Sequence, residues 1–221
     1  MVLIITIDGN IGSGKSTFLK KLKEYYSGNS RIIFVNEPVE IWNRIKDKDG
    51  KNIIEKFYEN KNDYAFCFQM TAYISRLVEL KNSIEKQVLN NIDFIICERS
   101  VFTDKNIFAK LLYDEGAIND IEYCVYNMWF SEFTKNLPKH VFIYIYTSPD
   151  ICSKRIRTRN RKGEENIQLD YLKKCHEAHE SWLSDADITL DGNVNLVYYP
   201  EIYKIWFKTL DDFLSKNGKD N

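Results

Sequence analysis

The chain reads Gly9-Asn10-Ile11-Gly12-Ser13-Gly14-Lys15-Ser16 between an apolar run, Val2 to Ile7, and a helical pattern that begins at Thr17. At a strand-to-helix junction, this spacing lets backbone N–H groups close around phosphate oxygens, and the helix N-terminus adds a partial positive charge. In such a loop the lysine reaches the β- and γ-phosphates, and the serine ligates magnesium. The alternative is a glycine-rich turn that only caps a helix, but the flanking strand and helix favour phosphate binding. The predicted phosphate-binding residues are Gly9, Asn10, Ile11, Gly12, Ser13, Gly14, Lys15, Ser16 and Thr17.

Composition is that of an ordinary folded chain. The 221 residues are 44% hydrophobic and 29% charged, with a net charge of −1. This length predicts one α/β domain over residues 1–221, and the near-neutral charge gives no overall attraction to nucleic acid or to a membrane surface. No cleavable leader pattern is present and no apolar run approaches the length of a membrane span, so we expect a cytoplasmic protein.

The cysteines are odd in number and widely spaced, at Cys67, Cys97, Cys124, Cys152 and Cys175. Four of them lie in or beside apolar segments, which predicts reduced core cysteines in a cytosolic compartment. With three histidines and no Cys-x-x-Cys motif, a zinc site held by the protein is not expected.

Further apolar runs predict buried parallel strands at Ile32 to Val35, Phe94 to Cys97, Val141 to Tyr146 and Leu196 to Tyr199. Helical patterns lie between them, and this alternation predicts a five-stranded, doubly wound parallel sheet flanked by helices. In such a sheet, ligands bind beyond the carboxyl ends of the strands. Polar residues that follow strands are therefore the candidate site residues.

Two carboxylates follow predicted strands. Glu37-Pro38 comes after the second strand, and Glu98-Arg99-Ser100 comes after the third and leads into a helix with Asp104 and Phe108. A carboxylate beside a phosphate loop can bind magnesium or accept a proton. The alternative for each acid is stabilisation of a helix N-terminus through its dipole.

A long helical pattern runs through most of Ile53 to Lys86. Its spacing places Ile54 and Tyr58 on one face, and Phe68, Gln69, Ala72 and Arg76 along another. Aromatic residues on a helix usually belong to the core. An amide and a guanidinium on the same apolar face instead favour binding of a planar heterocycle.

An arginine cluster follows the fourth predicted strand. Ser148-Pro149 starts a helix that carries Arg155 and Arg159, which would repel each other unless an anion lies between them. An arginine cluster ahead of Gly163 and Glu164 is typical of a lid that closes on phosphates. The alternatives are a solvated charged run or a small nucleic-acid patch that the following acids compensate.

These motifs, in this order, resemble the deoxyribonucleoside kinase family, particularly its deoxycytidine, deoxyguanosine and deoxyadenosine kinase members. The likeness runs from Ile5 to about Leu183. It rests on the phosphate loop, Glu-Pro-Val-x-x-Trp from Glu37 to Trp42, Phe68-Gln69, Glu98-Arg99-Ser100, the lid Arg155-x-x-x-Arg159-x-Arg161, and His-Glu-Ser-Trp-Leu from His179 to Leu183.

The resemblance implies a P-loop kinase fold with an arginine-rich lid, ATP as phosphate donor, Mg²⁺, a homodimer, and phosphorylation of a deoxynucleoside 5′-hydroxyl. It implies that Glu37, Arg99 and Lys15 are catalytic, and that Glu37 accepts the hydroxyl proton beside Arg99. Ser16 and Glu98 would hold the metal. The lid residues Arg155, Arg159 and Arg161 would bind phosphates, and Tyr58 and Glu164 the sugar 3′-hydroxyl. The implied substrate-binding set is Glu37, Val39, Trp42, Ile54, Phe57, Tyr58, Phe68, Gln69, Ala72, Arg76, Arg99, Asp104, Phe108 and Glu164.

Arg76 and Asp104 predict the preferred base. Family members that accept thymidine have smaller or apolar residues at these two positions, so this chain is expected to prefer deoxycytidine or purine deoxynucleosides. A nucleoside monophosphate kinase is one alternative, but its acceptor phosphate would need a basic residue where Glu37 stands. A non-catalytic descendant that serves as a binding or assembly subunit is another, but it would be expected to have a degraded phosphate loop.

Overall fold

Hydrophobic β-branched and aromatic runs form the centre of the molecule. The computed structural model describes residues 2–196 and 198–217, so the predicted domain, residues 1–221, extends beyond the described part at both ends. Five parallel strands pair in the order β2-β3-β1-β4-β5. They are β1 (Leu3–Asp8), β2 (Ile32–Val35), β3 (Phe94–Glu98), β4 (His140–Tyr146) and β5 (Ile188–Asp191). This arrangement confirms the predicted five-stranded parallel sheet.

Helices cover both faces of the sheet. They are α1 (Lys15–Tyr25), α2 (Val39–Arg44), α3 (Ile53–Glu59), α4 (Lys61–Asn90), α5 (Val101–Thr103), α6 (Lys110–Asp114), α7 (Asp120–Thr134), α8 (Pro149–Arg159), α9 (Leu169–Trp182) and α10 (Ile202–Asn217). A π-helical segment, Asp104–Ala109, joins α5 to α6, and a 3₁₀ turn, Glu164–Asn166, follows α8. None of the helices in the described ranges has the length and apolarity needed to cross a membrane.

The hydrophobic core lies on both faces of the sheet. On one face, Ile5 and Ile7 of β1 pack with Phe18 of α1 and Leu210 of α10. On the other, Ile95 belongs to a second buried cluster that includes residues of β1 and α4. Complete burial of such a side chain contributes about 1.5–3 kcal/mol. These contacts fix α1, and with it the phosphate loop, against the central strand.

The register of the paired strands places the candidate residues at one edge of the sheet. Ile7 pairs with Glu98 on one side and with Ile143 on the other, while Val35 pairs with Cys97. The carboxyl ends of β1, β2 and β3 therefore lie side by side. The phosphate loop and the segments that begin at residues 36 and 99 all start from this edge.

The predicted position of the last strand is wrong. The strand is Ile188–Asp191, ahead of the turn at Gly192, whereas Leu196 and Tyr198 lie in turns. Val197, within the predicted strand, falls outside the described residues. β5 is an edge strand whose residues alternate between buried and exposed, so its hydrophobic signal is weak. Leu196 packs against the core from a turn outside the sheet.

The long helical pattern between β2 and β3 also divides. α3 ends at Glu59, and the Asn60 side chain accepts a hydrogen bond from the Asp63 N–H to cap α4. Tyr58 therefore lies on a short helix separate from the one that carries Gln69.

The prediction that the cysteines belong to the core is wrong for two of them, because Cys67 and Cys124 are exposed. All five cysteines are free thiols.

Candidate active site

A cavity of about 980 Å³ lies beyond the carboxyl ends of the strands. Of the predicted site residues, it is lined by Ile11, Gly12, Ser13, Gly14, Lys15, Ser16, Thr17, Glu37, Trp42, Ile54, Phe57, Tyr58, Phe68, Gln69, Ala72, Arg76, Glu98, Arg99, Asp104, Phe108, Arg155, Arg159, Arg161 and Glu164. Gly9, Asn10 and Val39 are not part of its lining. Volumes of this order accommodate a small organic ligand.

The phosphate loop is tightly held. A Cβ at Gly9 would lie 2.6 Å from the Ile145 carbonyl oxygen, so only glycine fits there. Asn10 contributes structure, since its side chain donates to the Leu172 carbonyl of α9 at 2.9 Å and accepts from the Ile11 N–H at 2.8 Å. The Asn10 side chain therefore connects the phosphate loop to α9.

Lys15 is buried in this loop. Its ammonium donates to the carbonyl oxygens of Gly9 at 3.0 Å and Asn10 at 2.7 Å. Burial, followed by the nearby Arg99 guanidinium, lowers the pKa of Lys15 to about 7. In its charged form, the Lys15 ammonium can transfer these hydrogen bonds from the loop carbonyls to phosphate oxygens.

Ser16 and Glu98 meet beside the loop. The Ser16 hydroxyl, at the start of α1, donates to the Glu98 carboxylate at the end of β3. Among the described residues, no three His, Cys, Asp or Glu side chains cluster as metal ligands. One carboxylate and one hydroxyl are hard oxygen ligands that suit Mg²⁺, which takes few ligands from protein and the rest from water and phosphate.

Glu37 lies within a group of charged side chains. Arg76 donates to Glu37 through one guanidinium nitrogen and to Asp104 through another, while Arg99 Nε lies 3.7 Å from Glu37 Oε1. Burial alone would raise the pKa of Glu37, but Arg76, Arg99 and Lys15 hold it at about 2. Glu37 is therefore an ionised carboxylate at neutral pH and can accept a hydrogen bond from a hydroxyl group.

Aromatic side chains and buried polar groups together line one part of the cavity. Phe68 stacks on Phe57 with ring centres 4.6 Å apart, and Trp42 meets Phe68 edge-on at 5.7 Å. Gln69 and Asp104 are buried here, and one side-chain oxygen of each has no protein partner. Both residues line the cavity, so a ligand that reaches these unpaired acceptors would have to supply hydrogen-bond donors.

The lid residues are satisfied without a bound anion. Arg159 and Arg161 both pair with Glu164, the latter at 3.0 Å. Arg155 points the other way and donates to the carbonyl oxygens of Ser13, Gly192 and Val194 at 3.1, 2.8 and 3.3 Å. The predicted repulsion between Arg155 and Arg159 is thus avoided by separate partners.

Several cavity residues were not predicted from the sequence. They are Lys21, Ile151, Lys154, Thr158, Tyr171, Asn193, Asn195, Leu196, Tyr203 and Trp206. α10 was predicted only to pack, yet Tyr203 and Trp206 both pack and line the cavity. The strand-end rule would have found Asn193 if β5 had been placed correctly, because this residue lies two positions after the end of that strand.

A parallel sheet with a phosphate loop after its central strand, and with carboxylates at the ends of neighbouring strands, is typical of P-loop nucleotide-binding enzymes, which include the P-loop kinases. The chain belongs to the deoxynucleoside kinase family, whose model matches residues 5–215. It is therefore an enzyme that phosphorylates deoxynucleosides in nucleotide salvage, and kinases of this family use ATP as phosphate donor.

Individual relatives agree with this assignment. A fowlpox virus protein named "Probable deoxycytidine kinase" is 40% identical over 184 residues, which cover 82% of this chain and 72% of the relative. Human deoxycytidine kinase is 32% identical over 235 residues, which cover 96% of this chain and 85% of the relative. The mitochondrial deoxyguanosine kinase of Xenopus laevis is 32% identical over 195 residues, covering 81% and 72%.

Proposed function

We propose that the enzyme transfers the γ-phosphoryl group of ATP to the 5′-hydroxyl of deoxycytidine or a purine deoxynucleoside, in preference to thymidine. The observation that carries this base preference is the pair of buried oxygens on Gln69 and Asp104 that have no protein partner. An exocyclic amine on the base supplies donors to such acceptors. The names of the relatives, deoxycytidine and deoxyguanosine kinases, support the same choice.

Thymine fits this arrangement less well. It has a keto oxygen where cytosine has an amine, so a carboxylate acceptor would face another acceptor. Its 5-methyl group also needs space near Arg76, which is held in place by Glu37 and Asp104. A buried polar group left unpaired costs about 1–3 kcal/mol, which corresponds to roughly tenfold to hundredfold discrimination.

We propose that Glu37 accepts the proton of the 5′-hydroxyl and that Arg99 lies beside that hydroxyl. Phosphoryl transfer passes through a loose transition state, so bonding to the nucleophile is weak and the proton leaves late. An ionised carboxylate with a low pKa is sufficient for this task. Tyr58 and Glu164, which line the same cavity, would hold the sugar 3′-hydroxyl.

Charge on the donor side is balanced by the phosphate loop and the lid. Lys15 would stabilise the negative charge that develops on the transferred group, together with Arg159 and Arg161. For this, the two lid arginines must exchange Glu164 for phosphate oxygens. Ser16 and Glu98 would hold Mg²⁺, which when bound supplies neutralising charge to the phosphate oxygens.

A four-way competition among deoxycytidine, deoxyadenosine, deoxyguanosine and thymidine tests the base preference. We expect thymidine to have the lowest kcat/KM of the four. In Asp104→Ala, kcat/KM for thymidine should rise relative to that for the other nucleosides by about tenfold or more. Arg76→Met with Asp104→Ala should shift the ratio further, but it also removes a partner of Glu37. The single variant is therefore the cleaner measurement. If the unmodified enzyme prefers thymidine, the proposed roles of Arg76 and Asp104 are wrong, although the kinase assignment stands.

We also propose a homodimer formed through α4 and α7. These adjacent helices expose a set of large apolar side chains, namely Ile74, Val78, Met128, Trp129 and Phe133, each 40–57% exposed. Trp129 stacks on Phe133 with ring centres 5.4 Å apart. A symmetric second copy would bury the same face on both chains.

Sedimentation at micromolar concentration tests this dimer. We expect a mass of twice 26.2 kDa for the unmodified chain and a monomer for Trp129→Glu. Ile205→Glu is the matched control, because Ile205 is an exposed apolar residue of α10, outside the proposed interface. Dimers for both variants would place the interface elsewhere.

We further propose that the whole chain forms one kinase domain located in the cytoplasm. The strands share a single sheet, which supports one domain. The free thiols are compatible with a reducing compartment.

A further inference from the structure

Arg99 has an unusual backbone conformation. Its φ angle is +66°, in the left-handed region that residues with a side chain rarely adopt. The conformation directs the guanidinium into the cavity, where it lies near Glu37 and 4.6 Å from the ring centre of Phe108. Such strain persists only where the surroundings impose it.

The turn that contains Arg99 is held from β1. The Arg99 N–H donates to the Ile7 carbonyl at 3.0 Å. The next donor, the Ser100 N–H, meets the Asp8 carboxylate at 3.0 Å, and the same oxygen accepts the Thr103 hydroxyl. Asp8, Ser100 and Thr103 are all at most 1% exposed. If the Asp8 carboxylate were removed, water would therefore have little access to the two donors that it now satisfies.

We infer that Asp8 is a positioning residue that locks the Glu98-Arg99-Ser100 turn in the geometry required for phosphoryl transfer. The inference rests on the proposed roles of Glu37, Arg99 and Glu98. The carboxylate of Asp8 extends the pairing of β1 with β3 past the point where the chain leaves the sheet. It thereby fixes the directions in which Glu98 faces Ser16 and Arg99 faces Glu37.

The same bonds also anchor the first turn of the next helix. Ser100 caps α5 by accepting from the Phe102 N–H at 2.8 Å, and Thr103 directly precedes the π-helical segment with Asp104 and Phe108. A change at Asp8 therefore affects the acceptor side of the cavity through one short segment.

If Asp8 served stability alone, its replacement would lower the melting temperature and leave kcat of the folded enzyme unchanged.

Kinetics of Asp8→Ala and Asp8→Asn, below the melting temperature of both, separate these roles. Misplacement of a reacting group by about 1 Å can cost a hundredfold in rate, so we expect Asp8→Ala to lose tenfold or more in kcat with little change in the KM for ATP. Asp8→Asn keeps the accepting oxygen and should recover most of kcat. Leu214→Ala, in the remote part of α10, is the control for loss of stability alone.

Two results would overturn the inference. One is a kcat for Asp8→Ala within twofold of the unmodified enzyme, and the other is an equal loss in Asp8→Asn. If Asp8→Ala does not fold, Thr103→Val removes one of the two donors, and a reduced melting temperature with unchanged kcat would have the same meaning. Glu37→Gln in the same assay separates failure of the proposed active site from failure of the proposed role of Asp8. If it remains active, the proposed site fails, whereas an inactive Glu37→Gln with an active Asp8→Ala rejects only the role of Asp8.

Discussion

Replacing Lys15 with alanine is expected to lower kcat at least a hundredfold. One preorganised charge on a transferred phosphoryl group contributes roughly 3 kcal/mol to transition-state stabilisation. The Lys15 side chain is already buried and oriented by two loop carbonyls, so little reorganisation is needed when phosphates bind. Steady-state kinetics at saturating ATP and nucleoside measure the loss.

Nucleoside binding should survive this substitution, because the phosphate loop is on the donor side of the cavity. Quenching of tryptophan fluorescence can follow it, since Trp42 lines the acceptor side. Lys20→Ala is the matched control, an exposed lysine of the same helix. Near-normal turnover of Lys15→Ala would contradict the phosphate-loop assignment and favour a binding or assembly subunit.

Glu37→Gln is expected to lower kcat by about a hundredfold or more, with a much smaller change in the nucleoside KM. The amide has the same size and can still accept from Arg76, but it loses the charge that accepts the proton. Because the pKa of Glu37 is about 2, this carboxylate is ionised throughout the usual assay range. The wild-type pH profile should therefore have no acid limb due to Glu37 above about pH 4.

Glu98→Gln provides the comparison. It should weaken the response to magnesium, because it changes a proposed metal ligand, whereas Glu37→Gln should leave that response intact. A large KM change with unaffected kcat in Glu37→Gln would assign Glu37 to sugar binding or helix capping. The two carboxylates can thus be distinguished by varying magnesium and nucleoside separately.

The sequence was sufficient for most of the fold because buried parallel strands are continuous apolar runs. Ile32–Val35 and Phe94–Glu98 are of this kind, and the rule that ligands bind at strand ends then led to Glu37 and Glu98. β5 was missed because only one of its faces is buried. Asn193, which follows β5, was missed as a consequence, whereas Tyr203 was missed because α10 was predicted only to pack.

Other features depend on contacts that no local pattern encodes. The link between Arg76 and Glu37 joins α4 to the segment after β2, thirty-nine positions apart in sequence. The segment that carries Asp104 and Phe108 was predicted as an ordinary helix and is π-helical. π-Helical turns often occur at functional sites, where packing around a ligand pocket overrides local preference.

Arg76 bridges Glu37 and Asp104. The groups proposed to read the base and to activate the hydroxyl share one cation, so a substitution that broadens the range of accepted nucleoside analogues also alters the charge around Glu37. Substitutions of residues 76 and 104 that change base specificity should therefore also lower kcat. Compensating mutations are expected around Arg99, the other guanidinium beside Glu37.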